Sequence, residues 1–278
     1  MLTPDIVSED LTGFFHAGQI ATAIKGAVSV SRIESADVAR QRLEEARFDQ
    51  APVMDGERPV GWVATTELTG HRTVRPAMIP LDNCTIISAE SSIASILGII
   101  LQCKFVFVAD KSGISGFTVQ SDLDRHAVRS YFYLLISGIE MLLSEIVKSA
   151  IPERQITLAI RADMKKRYDQ ACIANQETSP AEYLYINELI ELFRQTDYAR
   201  DPDFWNESLT SLLLKVKSFR NTVMHATRSI AAADDLQLAA KLPEWAGDVA
   251  RQLRAIVASL NSRTPMTHSR TSGRTAGS

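Results

Sequence analysis

The sequence predicts an α+β amino-terminal half, small sheets with flanking helices, followed by an all-α bundle. Two observations carry this reading. The first half repeats its own order of helix, strand, turn and strand. From about Leu123 that order gives way to long stretches with apolar residues at helical spacing. The boundaries fall at 1–124 for the tandem, with repeats over about 20–70 and 76–124, and at 125–262 for the bundle. Residues 263–278 are Ser, Thr, Arg and Gly with hardly any apolar content, the composition of a disordered tail.

In the first repeat, Val38, Leu43 and Ala46 recur at roughly helical spacing, followed by the strand "APVM", a turn at Asp55-Gly56 and the strand "PVGWVA". The second repeat places a helix over about Ser92 to Gln102, the strand "KFVFVAD", a turn at Lys111-Ser112-Gly113 and the strand "ISGFTVQ". Gly61 then corresponds to Gly116, and Glu67-Leu68 to Asp122-Leu123. One copy cannot cover its own small sheet, so the two form a paired module. Beyond it, a helix of about thirty residues runs to Pro152, with Ser121 or Asp122 as its N-cap. "TLAIRADMKKRYDQACIANQ" reads as a second helix, and "SPAEYLYINELIELFRQT" as a third, capped by Ser179 with Pro180 at its first position. A fourth helix lies within 201–230 and a fifth begins at Leu242-Pro243; short connections imply an up-and-down bundle.

Composition narrows the function classes. Hydrophobic residues make up 45% and charged residues 23%, as in a soluble globular protein. The net charge of −3 supplies no global field for duplex nucleic acid but permits one local RNA groove. The first residues lack a basic region and a continuous apolar run, so no secretion signal is read. The apolar run Ile93–Ala109 is interrupted by Gln102 and Lys104 and is too short for a membrane span. Cys84, Cys103 and Cys172 are scattered without ligand-like spacing, as expected of reduced thiols in a cytoplasmic protein. No metal-ligand pattern, phosphate-binding glycine loop or serine nucleophile elbow is present in the sequence.

The tandem, from about Gly18 to Asp124, resembles the cystathionine-β-synthase (CBS) domain pair. That resemblance implies a regulatory module that binds adenosine nucleotides in clefts between the repeats. The family's ribose-binding signature is Gly, hydrophobic, any, Ser/Thr, any, any, Asp. The second repeat supplies Gly116 and Asp122 but has Val119 at the hydroxyl position. The first supplies Gly61, with Ala64 at the hydroxyl position and Glu67 for the aspartate. The pair is therefore either a nucleotide sensor, with Asp122 the better carboxylate, or a scaffold that only dimerises.

The segment "SFRNTVMHATRS" places Arg220, Asn221 and His225 within six residues of the fourth helix. At about 100° per residue, Asn221 and His225 share one helix face, Arg228 continues it and Arg220 flanks it by about 140°. A histidine can accept or donate a proton, and a guanidinium matches phosphate oxygens. The same residues, with Lys215 and Lys217, also read as a solvated basic face in which Arg220 pairs with Glu140 or Glu145.

A bundle over about 125–261 with "RNTVMH" late in it resembles the HEPN superfamily (higher eukaryotes and prokaryotes nucleotide-binding). That resemblance implies a metal-independent endoribonuclease leaving 2′,3′-cyclic phosphate and 5′-OH ends. Arg220, Asn221 and His225 would be its catalytic residues, with Glu140 and Arg228 in support and no catalytic cofactor. Two chains would complete the site in a homodimer, and a fused sensor suggests a stress effector, toxin or antiviral protein. HEPN toxins silenced by nucleotide transfer carry a tyrosine two residues after the histidine, where this chain has Thr227. The alternative is a nucleotide-responsive regulator whose bundle serves only for binding.

Overall fold

The computed structural model describes residues 13–201, 207–225 and 227–263. They fall into two compact units: the chain up to Gly138 with Leu214–Gly247, and Ile139–Leu213 with the chain from Asp248 on.

The first unit opens with α1 (Ala17–Ile20), β1 (Thr22–Ala23), β2 (Val30–Ser31), α2 (Ala36–Glu45), β3 (Gln50–Asp55) and β4 (Arg58–Ala64). The order repeats as β5 (Ile79–Pro80), β6 (Thr85–Ser88), α3 (Ile93–Gln102), β7 (Phe105–Asp110) and β8 (Gly113–Val119). The expected tandem is therefore present, with an arrangement the sequence did not disclose. The sheets have the orders β1-β8-β7-β6 and β2-β3-β4-β5. Each repeat thus gives its first short strand to the other repeat's sheet.

That exchange explains Gly61 and Gly116. Gly61 pairs with Pro80 of β5, and Gly116 with Ala23 of β1. A Cβ at Gly61 would lie 2.1 Å from the carbonyl oxygen of Ile79, and one at Gly116 would lie 2.8 Å from that of Thr22. Only a residue without a side chain lets the exchanged strand approach this closely.

The apolar clusters on the sheets include two among the described residues. The first gathers Val30, Ala36, Ala39, Leu43, Ala51, Val53 and Val63. Of the three positions expected to line the buried face of α2, only Leu43 does so; Val38 is 56% exposed and Ala46 is exposed. The helix begins at Ala36 after Ser35, which turns its inward face onto Ala36, Ala39 and Leu43. The second cluster is aromatic: Trp62 stacks on Phe105 with centroids 5.3 Å apart, and Phe105 on Phe117 at 4.8 Å. Helix α3 starts as expected, the Ser92 side chain accepting the Ser95 N–H at 3.2 Å.

The helical region is broken more often than the apolar periodicity implies. A 3-10 turn at Gln120–Asp124 precedes α4 (His126–Ala150), because Asp122 turns back to accept the Val119 N–H and Arg125 adopts extended backbone. The second predicted helix is two, α5 (Glu153–Ala159) and α6 (Ala162–Ile173), separated by extended backbone at Ile160 and Arg161. Ser179 caps a 3-10 turn at Pro180–Tyr183, and α7 (Ile186–Phe193) begins only afterwards. The fourth helix, α8, spans Glu207–Met224. The fifth, α9 (Ala233–Arg263), starts well before Pro243 and continues through that residue, which removes one helix N–H donor without ending the helix. The residues expected to form a disordered tail lie outside the described residues from 264 onward.

The unit boundary falls inside α4, α8 and α9. In the first unit, the start of α4 is tied to the tandem by Phe15 against Tyr131, and to α8 by Phe132 against Phe219 at 5.0 Å. Burial pushes the Tyr131 phenol up to about 12. In the second unit, Ile146, Val147, Leu189, Ile190, Phe193 and Leu209 are buried. By length and composition α4 is also apolar enough to cross a membrane, with a window of mean hydropathy 1.4, of which 56% is buried inside the protein.

Candidate functional site

The first unit brings the sequence-predicted residues other than Glu140 to three places. The larger cleft, about 710 Å³, is walled by Phe117, Val119 and Asp122 of the second repeat and by Arg47, Asp49 and Gln50 of the first. Its volume lies in the range of about 300–1,000 Å³ common for small-molecule sites. Asp122 is 6% exposed. Its carboxylate accepts the Val119 N–H at 2.8 Å and the Arg125 Nε–H at 2.7 Å. Arg125 also donates through Nη2 to Thr22 Oγ1 at 2.6 Å. A carboxylate has about four lone-pair directions, so two remain for hydroxyl donors of a ligand.

The counterpart cleft, about 450 Å³, is lined by Trp62, Ala64, Glu67, Cys84, Lys104 and Phe105, among others. Glu67 is exposed here. The Cys84 thiol points to the Pro80 carbonyl oxygen at 3.2 Å; burial first, and the Asp82 charge second, push it up to about 11. Both glycines predicted with these carboxylates, Gly61 and Gly116, act as the close-approach points of the exchanged strands.

The third place is the carboxyl end of α8. The helix ends at Met224, so His225 lies just past it rather than within it. The last turn still closes, because the His225 N–H donates to the Asn221 carbonyl at 3.2 Å. Asn221 and His225 are both exposed, and Arg220 is half-buried. Arg228 does not continue the helix face as expected; it sits in the following bend, its N–H donating to the His225 carbonyl at 2.9 Å. Lys215 leans on the Trp245 ring at 4.3 Å, which gives one member of the expected basic face a packing partner. Glu140 is half-buried on α4 and belongs to the second unit.

Sequence reasoning missed the residues that hold this end in place. Arg129, with a side chain 11% exposed, donates through Nη1 to the carbonyls of Thr222 at 3.0 Å, His225 at 3.4 Å and Val223 at 3.5 Å. Its Nη2 reaches the Arg228 carbonyl and pairs with Asp124 at 3.3 Å. A guanidinium at a helix carboxyl end satisfies the last carbonyls and faces the negative end of the helix dipole. A well-formed charge-assisted bond such as the one to Thr222 contributes about 1.5–3 kcal/mol. Asp124 in turn accepts the Ser229 hydroxyl at 2.6 Å and the Ile230 N–H at 2.5 Å. The available signal was an arginine at the spacing of Phe132 and Ile136 on an apolar face, where a charge requires partners.

Among the described residues, no group of three or more His, Cys, Asp or Glu is placed to hold a metal ion. A cleft of about 420 Å³ in the second unit, with Lys148, Glu153, Glu177 and Glu182 in its walls, contains none of the predicted site residues.

No family model matches the chain, and no curated protein does. Similar solved structures are CBS-domain proteins. The CBS domain of the bacterial CNNM/CorC family Mg2+ transporter in complex with ATP is 17% identical, with a TM-score of 0.37 over 42% of this chain and 89% of that one. CBSX2 in complex with AMP is 19% identical, with a TM-score of 0.38 over 42% and 98%; CBSX2 is a CBS-pair protein from Arabidopsis thaliana. A hemolysin-like protein containing a CBS domain, from Oenococcus oeni PSU, is 13% identical, with a TM-score of 0.36 over 41% and 90%.

Proposed function

We propose that this chain is a metal-independent endoribonuclease, active as a homodimer and governed by a nucleotide held in its α/β tandem. The observation that carries the reading is the carboxyl end of α8. There Asn221 and His225 are exposed and joined across the last turn, with Arg220 beside them. In this reaction the His225 imidazole takes the proton of a ribose 2′-OH, and the 2′-oxygen bonds to the adjacent phosphorus. The bond from phosphorus to the 5′-oxygen breaks, and the leaving oxygen takes its proton from His225 of the partner subunit. Arg220 bears on the crowded phosphorane as a fixed positive charge, and Asn221 positions a phosphate oxygen. The products carry 2′,3′-cyclic phosphate and 5′-OH ends.

End-labelled RNA incubated with purified protein in EDTA, with and without ATP or AMP, tests this. Cleavage by the wild type should fall by about 100-fold or more in His225→Ala, the usual contribution of an acid–base group. Intact RNA in every condition, or equal cleavage by both proteins, would remove the nuclease reading. The 710 Å³ cleft with its buried Asp122 favours a second reading, a nucleotide-responsive regulator without an active nuclease site. Calorimetric binding of ATP or AMP, weakened by about tenfold or more in Asp122→Ala, together with uncut RNA, would establish that reading instead.

A further inference from the structure

The larger cleft and the His225 end of α8 share one residue. Asp124 lines the cleft together with Asp122, Arg125, Ser229 and Ala231. It is also the acceptor that anchors Ser229 and Ile230 and the ion-pair partner of Arg129. Arg129 grips the carbonyls of Thr222, His225 and Arg228 on either side of the candidate catalytic histidine. Two residues, Asp124 and Arg129, therefore link the wall of a ligand-sized cavity to the backbone that carries His225.

We infer that Asp124 and Arg129 form a clamp through which a phosphate-bearing ligand in the cleft releases the His225 segment. Arg129 is a positioning residue, acting on His225 through its backbone. Arg47 and Arg125 are the cations of the cleft that attract a phosphate, and Asp124 shares its wall with them. A phosphate entering beside Asp124 places like charges together, which weakens the hold of that carboxylate. The same phosphate competes for the donors that Asp124 now uses, the Ser229 hydroxyl and the Ile230 N–H. Loss of these anchors leaves the 227–230 backbone without its tie to the tandem. The ligand thus acts by binding the released state better than the clamped one. This inference rests on the proposed role of His225 only for its functional meaning; the clamp itself is read without RNA.

Hydrogen exchange of the amides at 227–230, measured in the full chain, tests it. Saturating ATP should accelerate their exchange by at least about fivefold, the lower end of typical coupling between sites. Adenosine, which lacks the phosphate, should leave exchange unchanged at the same occupancy. Asp124→Asn keeps an acceptor but loses the charge, so it should show fast exchange without ligand and no further response to ATP. Ser229→Ala, an exposed substitution, serves if that variant does not fold; it should raise the basal exchange and shrink the ATP response. Unchanged wild-type exchange, no ATP binding at about 1 mM, an equal response to adenosine, or a full response in the variants would each overturn the clamp. RNA cleavage followed in parallel separates the two proposals. Uncut RNA with shifted exchange removes the nuclease alone, and cut RNA with unshifted exchange removes the clamp alone.

Discussion

The two clefts of the tandem occupy equivalent positions in the repeats, yet they differ in their carboxylates. Asp122 sits at the third position of a 3-10 turn, is buried, and folds back on the Val119 N–H while Arg125 holds its other oxygen. Glu67 sits at the third position of the matching turn, Thr65–Leu68, with one more methylene and a solvent-exposed side chain. The shorter acid is fixed by local hydrogen bonds before any ligand arrives, so a hydroxyl donor meets an ordered acceptor. The longer acid must be ordered by whatever binds it. Equivalent topology has produced one preorganised cleft of about 710 Å³ and one unprepared cleft of about 450 Å³.

The largest expected effect strikes the strand exchange behind each cleft. Gly61→Ala should destabilise the fold by about 3 kcal/mol and Gly116→Ala by about 1–2 kcal/mol, since overpacking against backbone typically costs about 1–3 kcal/mol. The order follows from Cβ approaches of 2.1 Å and 2.8 Å to carbonyl oxygens, and urea denaturation of both variants checks it. Next, Asp122→Ala should weaken the proposed nucleotide binding by about tenfold or more, the loss of one charge-assisted hydrogen bond. Glu67→Ala should change it less than about twofold. Equal losses by calorimetry would erase the contrast between the clefts.

The smallest effect is chemical. With its pKa raised to about 11, the Cys84 thiol stays protonated at pH 8 and should alkylate slowly with iodoacetamide, after the exposed Cys172. Because the folded-state value exceeds the ordinary one of 9.0, any stability this thiol contributes is complete below about pH 9 and is lost as pH rises through about 11. Ligand in the smaller cleft should slow Cys84 alkylation further; labelling unaffected by ATP at concentrations where calorimetry shows binding would place the nucleotide in the Asp122 cleft alone.

The repeat was legible because its signals are local: a helix, two strands and a turn recur in the same order. The exchange of β1 and β5 was not, because strands of two residues carry no period and their partners are distant in sequence. The end of α8 at Met224 lacked the usual stop signal, with neither glycine nor proline following it. Arg129 stops it from another element by taking its last carbonyls, which no window of the sequence around His225 contains. Pro243 misled in the opposite direction, since the Leu242-Pro243 start it suggests lies well inside α9. The motif residues were found by spacing; the residues that aim them required the tertiary structure.

The exchanged strands also have a consequence for synthesis. As the chain leaves the ribosome, β3 and β4 emerge with the outer edge of β4 unprotected until Ile79 and Pro80 follow. Thr22 and Ala23 meanwhile wait for a partner, β8, that is translated near the end of the tandem. Neither repeat can close its sheet alone, so a fragment ending before Ile79 should expose a pairing edge and associate with other copies. The tandem is thus a single nascent folding unit, completed only when its second half has been translated.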